Sequence, residues 1–485
     1  MKKAGGFRFG VALSALALVA GCGGGGSPSP SPGPIASPGP APTPAPTPTA
    51  SGPCTLRARQ DWAAAQLREW YLFPETLPAS LDPAQFSNVD DYIDALTATA
   101  RSQRRDRFFT YLTSIQEENA FFSSGQSAGF GIRLTSDATG RRVFVAEAFE
   151  GAPALAAGID RGAEIVAIGT SQNNLRSVSD IIAAEGSITN ALGPSSPGTA
   201  RVLRIADASG TRVVTVTKAD FELIPVSTRY GARIIEDGGR RVGYLNLRTF
   251  ISTADPALRQ AFAGFRAQGI TEVIVDYRYN GGGLVSTAEL MGDLLGANRT
   301  RQEVFSFTTF RPDKSQFNET RFFDPQPQSI APTKIAFIGT RSTASASELV
   351  INSFIPYLRA NEALVGTNTF GKPVGQIALD RATCDDRLRV VAFKTENAAR
   401  QGDYYDGLAP FMEASCQAPD DITRQLGDPA EGSTRAALDF LAGRPCTRIA
   451  SGGLTTQRVR ETVSESELVT PEQPSTVQRE VPGFF

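Results

Sequence analysis

Histidine is absent from this chain of 485 residues, and lysine occurs only seven times, at Lys2, Lys3, Lys218, Lys314, Lys334, Lys372 and Lys394. Without imidazole there is no Ser-His-Asp triad, no Cys-His pair, no His-Glu-x-x-His helix and no His-ligated zinc. A hydrolytic serine here must hand its proton to another base, and lysine is the first side chain to consider. No Ser-x-x-Lys string occurs, which removes the β-lactamase arrangement of those two groups. The five cysteines form no Cys-x-x-Cys pair, so a dithiol redox centre or thiolate metal site has no support. Net charge is −2, too small to argue for nucleic acid or an anionic membrane surface as a partner. What remains is an ordinary globular composition, 41% hydrophobic and 20% charged, in a chain long enough for two or three domains.

The first segment reads as an address. Lys2, Lys3 and Arg8 precede an apolar run from Val11 to Ala20, too short for a comfortable membrane span. It closes on Val19-Ala20-Gly21-Cys22, which resembles a bacterial lipobox and makes Cys22 the expected lipidation site after a signal peptide of residues 1–21. Residues 22–53 are glycine, proline, serine, threonine and alanine almost throughout, a composition that cannot bury a core and reads as a tether. Gly23 in place of aspartate resembles lipoproteins sorted to the outer membrane. The expected setting is the bacterial cell envelope, lipid-anchored and facing the periplasm or exterior. Cys54, Cys384, Cys416 and Cys446 then suggest two disulfides. Three pairings are possible. Cys384–Cys416 with Cys54–Cys446 is the favoured one, because the second bridge would staple the start of the body to its end.

Residues 54–124 read as a helical subdomain, with Trp62, Leu67, Trp70 and Tyr71 on one face and a second helix opening at Val89. From Gly129-Phe130-Gly131-Ile132 the pattern becomes short strands, followed by Gly151-Ala152-Pro153-Ala154 and Ala157-Gly158-Ile159. Gly162-Ala163-Glu164-Ile165 completes the succession, and residues 125–222 resemble a PDZ domain. In such a domain the Gly129–Ile132 loop would present backbone N–H groups to a peptide's terminal carboxylate, and the peptide would add a strand. A small β-domain without a ligand is the plainer reading. From 223 to 449 strands and helices alternate: a strand at Val242–Leu247, a helix over Pro256–Gln268, and buried strands at Val273–Asp276 and Lys334–Ile338. A helix at Glu348–Leu358 follows, and the whole argues for a layered α/β domain. Residues 450–485 read as a disordered tail.

Two segments fall where strands give way to helices, the usual place for a site in an α/β sheet. Asp276-Tyr277-Arg278-Tyr279-Asn280-Gly281-Gly282-Gly283 offers a glycine run able to turn N–H groups toward a ligand, or merely a turn. Ser342-Thr343-Ala344-Ser345-Ala346-Ser347-Glu348 fits a helix capping box at Ser345 and Glu348, but its small neighbours also leave a hydroxyl accessible. With Thr369-Phe370-Gly371-Lys372 and Gln376 further on, these motifs together resemble the carboxyl-terminal processing peptidases, or tail-specific proteases, over about residues 60–450. The resemblance implies a peptidase domain similar to the crotonase and Clp protease folds, with an inserted or preceding PDZ β-domain and an N-terminal helical subdomain.

It also implies Ser345 as nucleophile, Lys372 as general base, Gln376 orienting the lysine, and oxyanion donors at Ala346 and Gly282. No cofactor or metal is implied. Proteins or peptides with exposed C-termini are the expected partners. Pro373 stands where glycine is usual, Gly281 where proline is common, and the Ser345–Lys372 interval is slightly long, leaving Ser347 as the outside candidate. The competing reading is a catalytically inactive, lipid-anchored PDZ scaffold; an envelope structural lipoprotein would explain the tether but not the site. The sequence ends Val481-Pro482-Gly483-Phe484-Phe485, an apolar end long enough to reach back to the Gly129–Ile132 loop, where it would compete with substrate or be trimmed by the enzyme; an unstructured end with no role is the plainer reading.

Overall fold

Alternation within Glu272–Asp276 sets the centre of the fold. Val273 and Val275 pack into one hydrophobic layer and Ile274 into another. This strand lies inside a six-stranded sheet ordered Ala232–Asp237, Arg240–Asn246, Glu272–Asp276, Lys334–Gly339, Glu362–Gly366, Ala414–Gln417. All neighbours after the first hairpin are parallel. Helices Ala254–Ala267, Val285–Leu295 and Ala346–Leu358 cover one face through Leu258, Phe262, Met291, Leu294, Val350 and Phe354. Gly432–Leu441 covers the other through Ala437 and Leu438. Parallel strands buried on both faces explain the unbroken apolar runs in the sequence. The computed structural model describes residues 52–450 and 467–485. Cys22, the expected signal peptide and all but the end of the tether lie outside the described residues. No helix among the described residues is long and apolar enough to cross a membrane.

The N-terminal helices Leu56–Trp70 and Val89–Leu96 start on side-chain caps at Thr55 and Asn88. Leu67, Tyr71, Ile93 and Leu96 pack on Leu388, Val390 and Val391 of the long strand Asp386–Glu396, while Trp62 and Trp70 stay half-buried. The subdomain is not wholly helical: Tyr111–Ser114 pairs antiparallel with the same long strand. Val374–Arg381 pairs with it from the other side. Residues 126–222 form a small β-domain, a two-stranded ribbon and an antiparallel sheet running Ile132–Ser136, Val143–Ala148, Glu164–Gly169, Ala200–Asp207, Gly210–Thr217.

Two expectations are corrected here. The disulfides are Cys54–Cys384 and Cys416–Cys446, with Cα atoms 5.5 and 5.4 Å apart. The first helix lies across the Val374–Glu396 hairpin, tied by Arg59–Asp386 (2.6 Å) and by Arg381 Nη1 donating to Ala58 O (2.7 Å), so Cys54 meets the hairpin tip. Gln417 N–H donates to Thr447 O at 2.7 Å, which lays Cys446 beside Cys416 on the last strand of the central sheet. Nor is the tail disordered over residues 467–485. Val481, Phe484 and Phe485 are buried, and the backbone pairs with Ile132–Ser136. The tail's composition is mostly polar, but Val481, Phe484 and Phe485 bury enough apolar surface to fix its path.

Candidate active site

The strand Lys334–Gly339 gives way at Thr340 to a tight loop that delivers Ser345 to the start of the helix Ala346–Leu358. Ser345 has φ +56° and ψ −114°, a conformation rarely adopted by a residue with a side chain. The surroundings hold it there. Thr343 Oγ1 donates to Tyr277 O (2.7 Å) and Ala344 N–H to Asn280 O (3.0 Å), stitching this loop to the glycine loop. A strained serine between strand and helix, half-buried on a cavity wall, has the geometry of a nucleophile elbow. Ser347 differs. It is fully buried and its Oγ donates to Asn280 O at 3.1 Å, a structural bond. The string Gly125-Gln126-Ser127-Ala128-Gly129 also spells Gly-x-Ser-x-Gly, but Ser127 lies buried in a strand with its hydroxyl on Gly125 O.

Glu348 connects the two halves of the site. Its Oε2 accepts the N–H of Ser345 (3.1 Å) and of Lys372 (2.7 Å), and its Oε1 accepts that of Gly371 (2.7 Å). The capping box expected from the sequence is therefore present in its glutamate arm, and the same carboxylate also anchors the lysine loop. Burial pushes the Glu348 carboxyl above its ordinary range, while the Thr369 hydroxyl and these N–H groups pull it back. Arg107 steadies the loop from outside by donating to Phe370 O (2.7 Å) and Gly371 O (2.6 Å). Sequence reasoning singled out neither role.

Lys372 Nζ donates to Gln376 Oε1 at 3.1 Å and stands 5.2 Å from the Phe109 ring centroid. Gln376 in turn donates through Nε2 to Phe109 O, which fixes which end of its amide meets the lysine. A register shift between Gly375 and Gln376 sets this side chain's direction. Gly375, at the shift, makes room for the Phe393 ring, which a Cβ there would approach to 2.1 Å. Burial is the main reason the Lys372 ammonium lies below the ordinary lysine range. Arg479 and Arg389 push the same way, and the carboxylates of Glu480 and Asp106 oppose them.

The glycine run differs in detail from expectation. Gly282 N–H is committed to Asn280 Oδ1 at 2.9 Å, so it does not face the cleft as an oxyanion donor. The neighbouring Gly281 N–H does meet a peptide carbonyl, Glu480 O at 3.0 Å. Gly282 instead provides closeness: with φ +125°, a Cβ there would lie 2.8 Å from Ser345 Cβ. Ala346, the other expected donor, is the first residue of its helix, where N–H groups have no intrahelical partner. In the Gly129–Ile132 loop, Gly131 and Ile132 N–H donate to Phe485 O at 2.9 and 3.2 Å. A Cβ on Gly129 would come within 2.8 Å of the Phe485 carbonyl carbon. Phe130 turns away into the small domain's core. Among the described residues no cluster of three metal-ligating side chains occurs.

The sequence profile of Peptidase family S41 matches residues 241–401, and that of the Peptidase S41 N-terminal domain matches residues 58–111. Over these two stretches the chain is similar to this family. It is 27% identical over 277 residues to a chloroplastic C-terminal processing peptidase of Tetradesmus obliquus, covering 53% of this chain and 54% of the relative. A carboxyl-terminal-processing protease of Picosynechococcus sp. is 28% identical over 251 residues, 52% of this chain and 55% of its own. The chain spans about half the length of these relatives. The crystal structure of an S41 protease from Bacteroides fragilis superposes with TM-score 0.60 at 24% identity, over 79% of this chain and 97% of that one, a likeness of fold.

Proposed function

We propose that this chain is a serine endopeptidase in which Ser345 attacks the substrate carbonyl and neutral Lys372 takes its proton. As Oγ bonds to the carbonyl carbon, the Oγ proton passes to Nζ, and the oxyanion is held by the N–H groups of Ala346 and Gly281. The lysine ammonium then protonates the departing amine. Water hydrolyses the acyl-enzyme by the same path, restoring Ser345 and Lys372. The observation that carries this reading is the single Glu348 oxygen bonded to the N–H of both residues, in a chain without histidine. Gln376 positions the lysine. The inactive-scaffold alternative is less favoured, because a scaffold has no use for a serine held at φ +56°.

The small β-domain serves as a PDZ-type reader of apolar peptide ends, and the layered body is of the crotonase and Clp protease kind. Its substrates are polypeptides with exposed C-termini, met at the cell envelope where a lipidated Cys22 anchors the chain. Incorporation of labelled fatty acid by wild type but not Cys22→Ser is the expected sign of that anchor; equal incorporation would refute it. The function itself is tested with an unfolded protein bearing an apolar C-terminus. Ser345→Ala and Lys372→Ala each lower turnover by a factor on the order of 10³–10⁶, while Ser347→Ala remains active. Activity in Ser345→Ala together with a dead Ser347→Ala would move the nucleophile.

A further inference from the structure

Residues 467–485 do not cross the surface idly. Glu467 O accepts from Ser136 N–H (2.8 Å), Val469 N–H donates to Leu134 O (2.9 Å), Gly483 O accepts from Leu134 N–H (2.8 Å), and Phe485 N–H donates to Ile132 O (2.9 Å). The segment thus pairs antiparallel with the free edge of the small β-domain at both its ends. Between those ends a capped turn, Thr476–Glu480, rises over the catalytic cleft. There Thr113 and Thr476 hydroxyls meet at 2.8 Å, Arg479 Nη1 donates to Phe108 O (2.9 Å), and Gly281 N–H meets Glu480 O. Gly281 leaves the space: a Cβ there would be 2.3 Å from Arg479 O.

The two aromatics divide the work. Phe485 joins the small domain's core with Phe130, Ile132 and Ile165. Phe484 fills a second pocket that includes Phe121 and Ile251 from outside that domain and Phe149 and Phe221 from within it. Gln478 Nε2 donates to Phe484 O at 2.9 Å, bracing the turn against the strand. Val481 N–H donates back to Val477 O at 2.7 Å, so the Glu480–Val481 peptide closes a helical turn. A scissile bond has to lie extended between nucleophile and oxyanion donors, and this one does not.

We propose that residues 467–485 are a tethered ligand of the chain's own peptide cleft, with Phe484 and Phe485 as its anchors, which an incoming polypeptide displaces by presenting two consecutive large apolar residues. This deepens the peptidase reading by naming the side chains that the cleft selects, and its binding arm does not depend on hydrolysis. Glu480 adds to the block, since it lines the same cavity as Lys372 and its charge favours the ammonium over the neutral base.

The test is fluorescence anisotropy with a labelled peptide, Gln-Arg-Glu-Val-Pro-Gly-Phe-Phe, against three proteins carrying Ser345→Ala. One is the full chain, one ends at Glu480, and one is full-length with Phe484→Ala and Phe485→Ala. The expected result is at least tenfold tighter binding to the two altered proteins than to the full chain, and at least tenfold loss when the peptide ends in Ala-Ala. Equal affinity for all three proteins, or for both peptides, overturns the proposal. The doubly substituted chain decides the matter if the shortened one has no cooperative thermal transition. Incubating wild type and finding residues 481–485 released would also overturn it, because the segment would then be a substrate. Absent turnover by wild type on any polypeptide would sink the peptidase reading and leave the tethered ligand standing.

Discussion

Among single residues, Lys372 can serve as the proposed base only if its surroundings keep it able to accept a proton. Burial lowers its pKa, Arg479 and Arg389 help, and Glu480 and Asp106 resist. A base must be neutral, so kcat/KM should rise with pH along a limb lying below the ordinary lysine value and stay high on the alkaline side. Removing a carboxylate that favours the ammonium lowers the lysine pKa further. Glu480→Gln is therefore expected to move the rising limb of kcat/KM to lower pH, since that parameter reports the free enzyme with its segment docked. A limb that stays in place would mean Glu480 does not face the lysine in solution. The proposed nucleophile and base stand out as residue types because a chain with no histidine leaves few bases. Glu348 was legible only as a helix cap: nothing in sequence spacing reveals that a capping carboxylate also receives N–H groups from a loop more than twenty residues away.

At the scale of elements, apolar runs at Val273, Lys334 and Val242 identified the central strands because burial on both faces leaves a continuous signature. The strand Tyr111–Ser114 carried no such mark, since it exists to pair with Asp386–Glu396 and its side chains are mostly half-buried. The disulfides failed for a related reason. Which cysteines meet depends on how helices cross strands far apart in the chain. One element hides a further cost. Glu362, first residue of the strand Glu362–Gly366, is fully buried with neither carboxyl oxygen hydrogen-bonded, and burial raises its pKa well above the ordinary value. Its folded-state pKa exceeds its unfolded one, so the folded protein holds the proton longer. Stability should fall as pH rises above the unfolded carboxyl value of about 4.3, by about 1.4 kcal/mol per pH unit until the folded pKa is reached. Glu362→Gln removes that slope. Urea unfolding at pH 5 and pH 8 should show the variant gaining on wild type at the higher pH; parallel losses in both would refute the assignment.

At the scale of the whole molecule, buried charge joins the parts. Arg278 contacts Asp276 (2.8 Å), Asp420 (2.9 Å) and Glu431 (2.9 Å), and Asp420 also holds Arg161 of the small β-domain at 2.6 Å. Arg133, on the strand that receives Phe484, donates to Tyr279 O at 2.6 Å, two residues from Gly281. The motif Asp276-x-Arg278 is thus a structural tie beneath the glycine loop. Arg278→Leu would leave Asp276 and Glu431 buried without their cation, and Asp420 with Arg161 alone, and should cost about 3–5 kcal/mol of stability in urea unfolding; a loss below about 1 kcal/mol would show the network to be dispensable. The return of the apolar end to the Gly129–Ile132 loop was legible in Phe484 and Phe485, whereas the rest of the 467–485 path was not, because the second pocket is supplied by Phe121, Phe149, Phe221 and Ile251, remote in sequence.

The central claim is that Ser345 is made nucleophilic by Lys372. A fluorophosphonate probe reports it directly, since the probe bonds covalently only to an activated serine. Mass spectrometry of wild type and of the chain with Phe484→Ala and Phe485→Ala should find one adduct, on Ser345, and almost none when Lys372→Ala is added to either. An adduct on Ser347, or undiminished labelling of Ser345 without Lys372, would contradict the account.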